Sequence, residues 1–174
     1  AAPLLLGVRE RHPADMVDPS HRGGERFGLT QEEIGQVAER LAGMPHQLVI
    51  YHAMVGSQME DLDGWMARLA HSAANYCRVR RNMPTLRAFN FGGGMPTSAY
   101  ALDFAFDYQS FLRRLMTELA ATCAEFDVPQ PDLIGEFGHP CGVTDRRRHG
   151  VGDRLQGVRV EVLGRIAGDL PVHG

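Results

Sequence analysis

The sequence predicts an α/β protein built on a parallel sheet. Two observations carry this. Short apolar runs alternate with longer stretches of helical periodicity, in the order strand, loop, helix, strand, helix, strand, helix, strand. The apolar runs also lack the in–out alternation of a half-solvated sheet, which marks strands covered on both faces. At 174 residues the chain has room for one domain with a real core.

Leu4 to Arg9 reads as the first buried strand, and the polar stretch Glu10 to Arg26, rich in Pro, Gly and His, as a loop. That loop is longer than a plain connection needs, which favours a functional segment. Thr30-Gln31-Glu32-Glu33 is a capping box. Ile34, Val37, Ala38 and Leu41 follow at helical spacing, and Gly43 and Pro45 end the helix. Gln47 to Val55 is the second apolar run. Leu62, Trp65, Met66, Leu69, Ala73, Tyr76 and Cys77 then form the apolar stripe of a long helix. Arg78, Arg80 and Arg81 read as its solvated, dipole-favoured end. Leu86 to Phe91 is the third strand. Phe111, Leu112, Leu115, Leu119, Cys123 and Phe126 mark the third helix, stopped by Pro129 and Pro131, and Asp132 to Phe137 is the fourth strand. The expected strands therefore lie at 4–9, 47–54, 86–91 and 132–137, and the helices at 31–43, 60–80 and 108–126. Beyond Gly138 the pattern decays, with one exposed strand expected over Gly157 to Leu163.

Composition narrows the function. Apolar residues make up 44% and charged residues 22%, as in a soluble globular protein. A net charge of −3 argues against nucleic acid or an anionic membrane as partner. No apolar run approaches the roughly 20 residues of a membrane span, and the N-terminal stretch lacks the features of a signal peptide. The three cysteines, Cys77, Cys123 and Cys141, show no CxxC pairing, which fits a reducing cytoplasm and gives no zinc site. All 18 basic residues are arginine, so this chain supplies no lysine nucleophile.

The chemistry-bearing residues fall at strand ends, where parallel α/β folds bind ligands. His52 with Gly56 and Ser57 follows the second strand, Gly92-Gly93-Gly94 the third, and Glu136 ends the fourth. Each has an ordinary alternative: a core histidine, a helix cap, a turn built for chain reversal, a surface glutamate. A glycine triplet also exposes backbone N–H groups that can close on a phosphate. Competing motifs fail: there is no GxGxxG, no Gly-Lys of a P-loop, no HExxH and no GxSxG.

Taken together, His52-Ala53-Met54-Val55-Gly56-Ser57-Gln58, Asn90-Phe91-Gly92-Gly93-Gly94 and Gly135-Glu136-Phe137-Gly138 resemble motifs of the pyridoxal-phosphate decarboxylases of the ornithine, diaminopimelate and arginine decarboxylase group. Arg26-Phe27-Gly28-Leu29 resembles a further segment of that family. The resemblance runs from about residue 4 to 138. It implies part of an alanine-racemase-like, TIM-type barrel that binds pyridoxal 5'-phosphate, with residues 1–138 as the partial barrel and 139–174 as an irregular or divergent tail. It implies that His52 stacks on the pyridine ring and Glu136 pairs with the ring nitrogen. Ser57 and the backbone of Gly92, Gly93 and Gly94 would hold the cofactor phosphate, and Gly138 would be a further cofactor-binding residue. It further implies a lyase acting on a basic or diamino acid, cytoplasmic, a homodimer at full length, and without a metal. Three departures accompany the match. The family's Schiff-base lysine lies upstream of anything here, His139-Pro140 stands where the family has arginine, and the family's β-domain has no counterpart. A truncation or frame change near Gly138 is the corresponding hypothesis. Two other readings stay open: a non-catalytic half-barrel that binds phosphate or the cofactor, and an unrelated doubly wound domain.

Overall fold

The computed structural model describes residues 2–12, 27–55, 61–93, 107–137 and 160–164. Five strands and three helices follow in order: β1 (Leu5–Glu10), α1 (Gln31–Leu41), β2 (Gln47–Ala53), α2 (Leu62–Asn82), β3 (Ala88–Asn90), α3 (Tyr108–Glu125), β4 (Asp132–Phe137) and β5 (Val160–Gly164). The strands form one sheet in the order β1-β2-β3-β4-β5, and every pairing is parallel. The predicted fold class and all four strands are therefore present. The run expected as an exposed strand over 157–163 is β5, which extends the sheet beside β4.

Local chemistry sets the helix starts. The capping box forms at Thr30, whose hydroxyl accepts from the Glu33 N–H while the Glu33 carboxylate accepts from the Thr30 N–H. Asp61 and Asp107 cap α2 and α3 by accepting from the N–H groups of Gly64 and Ser110. Three differences from the expected elements have local causes. Glu10, expected to open the loop, is the last residue of β1 and pairs with Ala53. β3 is shorter than 86–91, because the Leu86 N–H turns back to the Met83 carbonyl and Gly92 takes a φ of 75°. Arg78 does more than solvate the end of α2: it donates to Asn75 Oδ1 at 2.6 Å and lies over the Phe126 ring.

Side chains alternate across the sheet. Val8, Tyr51, Phe89 and Leu133 share one register row and belong to the buried core. Tyr51 and Phe89 both meet the Tyr76 ring of α2 edge-on, and stack on each other at 6.2 Å between centroids. Trp65 of α2 stacks on Phe111 of α3 at 4.4 Å, and the Cys77 and Cys123 sulfurs touch across the same helix pair. This face is the helix-covered one. It also holds the buried Glu10, whose Oε1 accepts from Asn75 of α2 and Gln31 of α1. Gln31 donates in turn to the Tyr51 hydroxyl at 2.6 Å. A buried carboxylate without such donors would cost several kcal/mol. With them, it ties the end of β1 to two helices and a neighbouring strand.

Phe89 is fully buried at the centre of this face. Phe89→Ala should cost about 3–5 kcal/mol by leaving a cavity among rigid rings. Urea denaturation followed by circular dichroism measures this.

Candidate functional site

The opposite face of the sheet carries the site. The row next to the core row runs Arg9, His52, Asn90, Ile134 across β1 to β4. Glu136 lies two residues beyond Ile134, on the same face. The polar members of this row meet: Asn90 Nδ2 donates to Glu136 Oε1 at 2.8 Å, and His52 Nε2 lies 3.8 Å from the same oxygen. His52 is mostly buried, with 22% of its side chain exposed, and Glu136 is half-exposed at 45%. His52 Nε2 itself is buried and makes no hydrogen bond among the described residues.

Backbone geometry explains why glycines follow β3. Gly92 sits in the left-handed region, and a Cβ there would press on Met54 Sδ at 2.9 Å and the Ala53 carbonyl oxygen at 3.0 Å. A Cβ on Gly93 would run into the Glu136 carbonyl oxygen. The ends of β2, β3 and β4 converge here at a spacing only glycine permits. The Gly92 N–H donates to Asn90 Oδ1, and its carbonyl accepts from the Glu136 N–H, both at 2.8 Å. Gly92 is therefore bonded within the protein at both its polar groups. Of the residues read from sequence, the structure brings together His52, Gly92, Gly93 and Glu136. Ser57, Gly94 and Gly138 lie outside the described residues.

Sequence reasoning missed two contributors, Asn90 and Arg9. Asn90, in sequence only the start of the glycine motif, bridges Gly92 and Glu136. An Asn two residues before a positive-φ glycine is the local signal for such a turn. Arg9 shares the row with His52, and its guanidinium lies over the Phe27 ring at 5.2 Å. Gly28 explains the Phe27-Gly28 pair: at φ 86° it packs against the Glu10 backbone, where any Cβ would fall within 2.7 Å. Leu29 then bonds to both Arg9 and Arg11 along the strand end.

Burial lowers the His52 pKa below its ordinary 6.5; Glu136 opposes this and Arg9 adds to it. At neutral pH the imidazole is uncharged, with a flat face and one unpaired nitrogen. Among the described residues no group of His, Cys, Asp and Glu could hold a metal ion, and no helix is long and apolar enough to cross a membrane.

No protein-family model matches the chain. It is 28% identical over 122 residues to the biosynthetic arginine decarboxylase of Nostoc sp., covering 65% of this chain and 18% of that enzyme. It is 27% identical over 145 residues to the biosynthetic arginine decarboxylase of Deinococcus radiodurans, covering 76% of this chain and 22% of that enzyme. Among solved structures, the biosynthetic arginine decarboxylase from Campylobacter jejuni superposes with a TM-score of 0.58 at 20% identity, over 75% of this chain and 22% of that one. Diaminopimelate decarboxylase from M. jannaschii gives 0.57 at 21% identity, over 78% and 32%. The resemblance to the decarboxylase group holds in sequence and in fold. The chain spans about a fifth of the length of the curated arginine decarboxylases it matches. Its parallel βα repeats take the arrangement of part of those folds, as the partial-barrel reading expects.

Two outcomes test the geometry. The unfolded chain binds a proton on His52 near pH 6.5, whereas the folded chain binds it only at lower pH, so stability falls as pH drops through that window. His52→Gln should flatten this dependence: its melting temperature should fall less than that of wild type between about pH 7.5 and about pH 5.5. Gly93→Ala should lower stability by about 1–3 kcal/mol through the clash with the Glu136 backbone. Denaturant unfolding gives that value, and an Ala variant as stable as wild type would show that β3 and β4 yield there.

Proposed function

We propose that the chain is part of a pyridoxal-phosphate-dependent decarboxylase acting on a basic or diamino acid, and that it supplies the ring-binding side of the site. The observation that carries this is the buried, unpaired His52 Nε2 set 3.8 Å from Glu136 on the face away from the helices. The residues fit the cofactor chemically. A neutral, partly buried imidazole offers a flat face to a pyridine ring. A carboxylate accepts a hydrogen bond from a protonated ring nitrogen and favours that charged form. When bound, pyridoxal phosphate supplies the electron sink that accepts the electron pair left as carbon dioxide departs.

Each residue then has a task. His52 orients the ring through its face and excludes water from it. Glu136 holds the proton at the ring nitrogen, anchored at Oε1 by Asn90. Ser57, Gly93 and Gly94 are the phosphate contacts in this reading, Gly138 is a further cofactor-binding residue, and Gly92 shapes the turn, since its N–H is already bonded to Asn90. Residues 1–138 form the partial barrel, with β5 the described element of the 139–174 segment that adds to the sheet. A cytoplasmic location and a homodimer at full length complete the proposal.

The absence of lysine favours a second reading, a cofactor-binding half-barrel that does no chemistry by itself. No side chain of this chain can hold the cofactor covalently through a lysine amine. We expect reversible binding of pyridoxal phosphate, seen as a shift in its absorbance. His52→Ala and Glu136→Gln should each weaken it about tenfold or more. Borohydride reduction followed by peptide mapping should find no stoichiometric adduct. An adduct on a barrel residue, or robust carbon dioxide release from arginine by this chain alone, would overturn the reading of a chain without its covalent anchor.

A further inference from the structure

We propose that Cys77 and Cys123 are a redox pair: hydrogen peroxide oxidises them to a disulfide that clamps α2 to α3, and a dithiol reopens it. The proposal stands on the helix layer and is independent of the cofactor reading.

The two cysteines face each other across the helix pair, 46 positions apart in the chain, with their sulfurs 3.8 Å apart. Both are free thiols, and both are buried, at 0% and 1% exposure. A disulfide needs its sulfurs about 2.05 Å apart, so closure asks for an approach of about 2 Å, within reach of rotations of the two side chains. Contacts on either side of the pair hold the helices together. Toward their N-termini Trp65 stacks on Phe111 at 4.4 Å. Toward their C-termini the Arg78 guanidinium lies over the Phe126 ring at 5.6 Å.

Chemistry orders the pair. The thiols hydrogen-bond to each other. That bond raises the pKa of Cys77, with burial adding to it, and lowers that of Cys123. Cys123 is therefore the attacking sulfur, since the thiolate is the reactive form. It also lies in the last turn of α3, which ends at Glu125. Fraying of that turn admits a small uncharged oxidant without unfolding the sheet. The Cys123 thiolate attacks one peroxide oxygen, the O–O bond breaks, and hydroxide leaves. The Cys77 sulfur then attacks the sulfenic sulfur. Its proton leaves with the sulfenic hydroxyl as water, and the S–S bond forms. With the proton first lost from Cys123 taken up by hydroxide, two thiols and one peroxide become one disulfide and two waters. A dithiol reverses the change, giving two protons and two electrons back to the cysteines.

The segment between the two cysteines carries β3, Gly92, Gly93 and most of α3. The bond thus closes a loop around the strand that leads into the glycine turn. A closed loop has less freedom in the unfolded chain, so the oxidised form is the more stable one.

The test uses the full chain as Cys141→Ser, which leaves Cys77 and Cys123 as its cysteines. The folded protein is treated with hydrogen peroxide, remaining thiols are alkylated, and peptides are mapped with and without dithiothreitol. We expect a stoichiometric Cys77–Cys123 link that dithiothreitol opens. The melting temperature of the linked form should exceed that of the same sample after dithiothreitol by about 5 °C or more. That comparison cancels methionine oxidation, which dithiothreitol leaves in place. Adding Cys77→Ser removes the partner, so Cys123 should end with added oxygen and show no rise in melting temperature. Thiols that stay reduced until urea unfolds the chain, or links between chains in place of the internal one, would overturn the proposal. So would a linked form that melts no higher than the reduced one, or an equal rise in the Cys77→Ser variant.

Discussion

The approach of Gly93 to the backbone of Glu136 sets the geometry on which the site depends. Strands in a parallel sheet diverge by twisting, so side chains on their ends normally move apart. Here the ends of β3 and β4 stay close because no Cβ separates them. The Glu136 N–H reaches the Gly92 carbonyl, and the Asn90 amide reaches both Gly92 and Glu136. A larger residue at either glycine would remove more than a turn. It would separate the carboxylate from the imidazole, since both are placed by the same strand ends.

One sheet serves two purposes through its period of two. The row Val8, Tyr51, Phe89, Leu133 goes to the helices and supplies apolar burial. The adjacent row begins Arg9, His52, Asn90 and supplies charge and hydrogen bonds. A shift of one residue in the register of any strand would exchange the two sets. That shift is opposed on the helix face by large rings that fit only there. It is opposed at the β1 end by Glu10, whose donors sit on α1 and α2. The buried glutamate thus holds the register that presents its neighbour Arg9 to the site.

The alternation of apolar runs and helical stripes made the fold class legible, and β4 has the bounds expected, Asp132–Phe137. The capping box at Thr30 was legible because it is a local reciprocal bond, fixed by four consecutive residues. Glu10 was not legible as part of a strand. A charged residue followed by Arg, His and Pro reads as loop, and only donors from α1 and α2, some 20 and 65 residues away, make its burial tolerable. For the same reason the sequence points to the glycines and to His52 but not to their arrangement. Glycine spacing signals a close approach without saying what approaches. The partner proves to be the Glu136 backbone for Gly93, and Ala53 with Met54 for Gly92. Asn90 lies between these cases: its position before a positive-φ glycine marks a turn, whereas its bond to Glu136 spans 46 residues.

The charges of the polar row bear on what it can receive. His52 lies between a basic and an acidic neighbour, with its pKa pulled down by burial and by Arg9 and up by Glu136. With His52 neutral, no imidazolium stands beside Glu136. A group arriving beside Glu136 with a proton to share therefore meets an acceptor not already neutralised by an imidazolium. If His52 were charged instead, it would compete with that group for Glu136 at a distance of 3.8 Å. Desolvation of the imidazole thus keeps the carboxylate available, and Asn90 keeps it aimed without adding charge. A neutral donor in that place holds Glu136 as a cation would, but leaves its negative charge for the ligand.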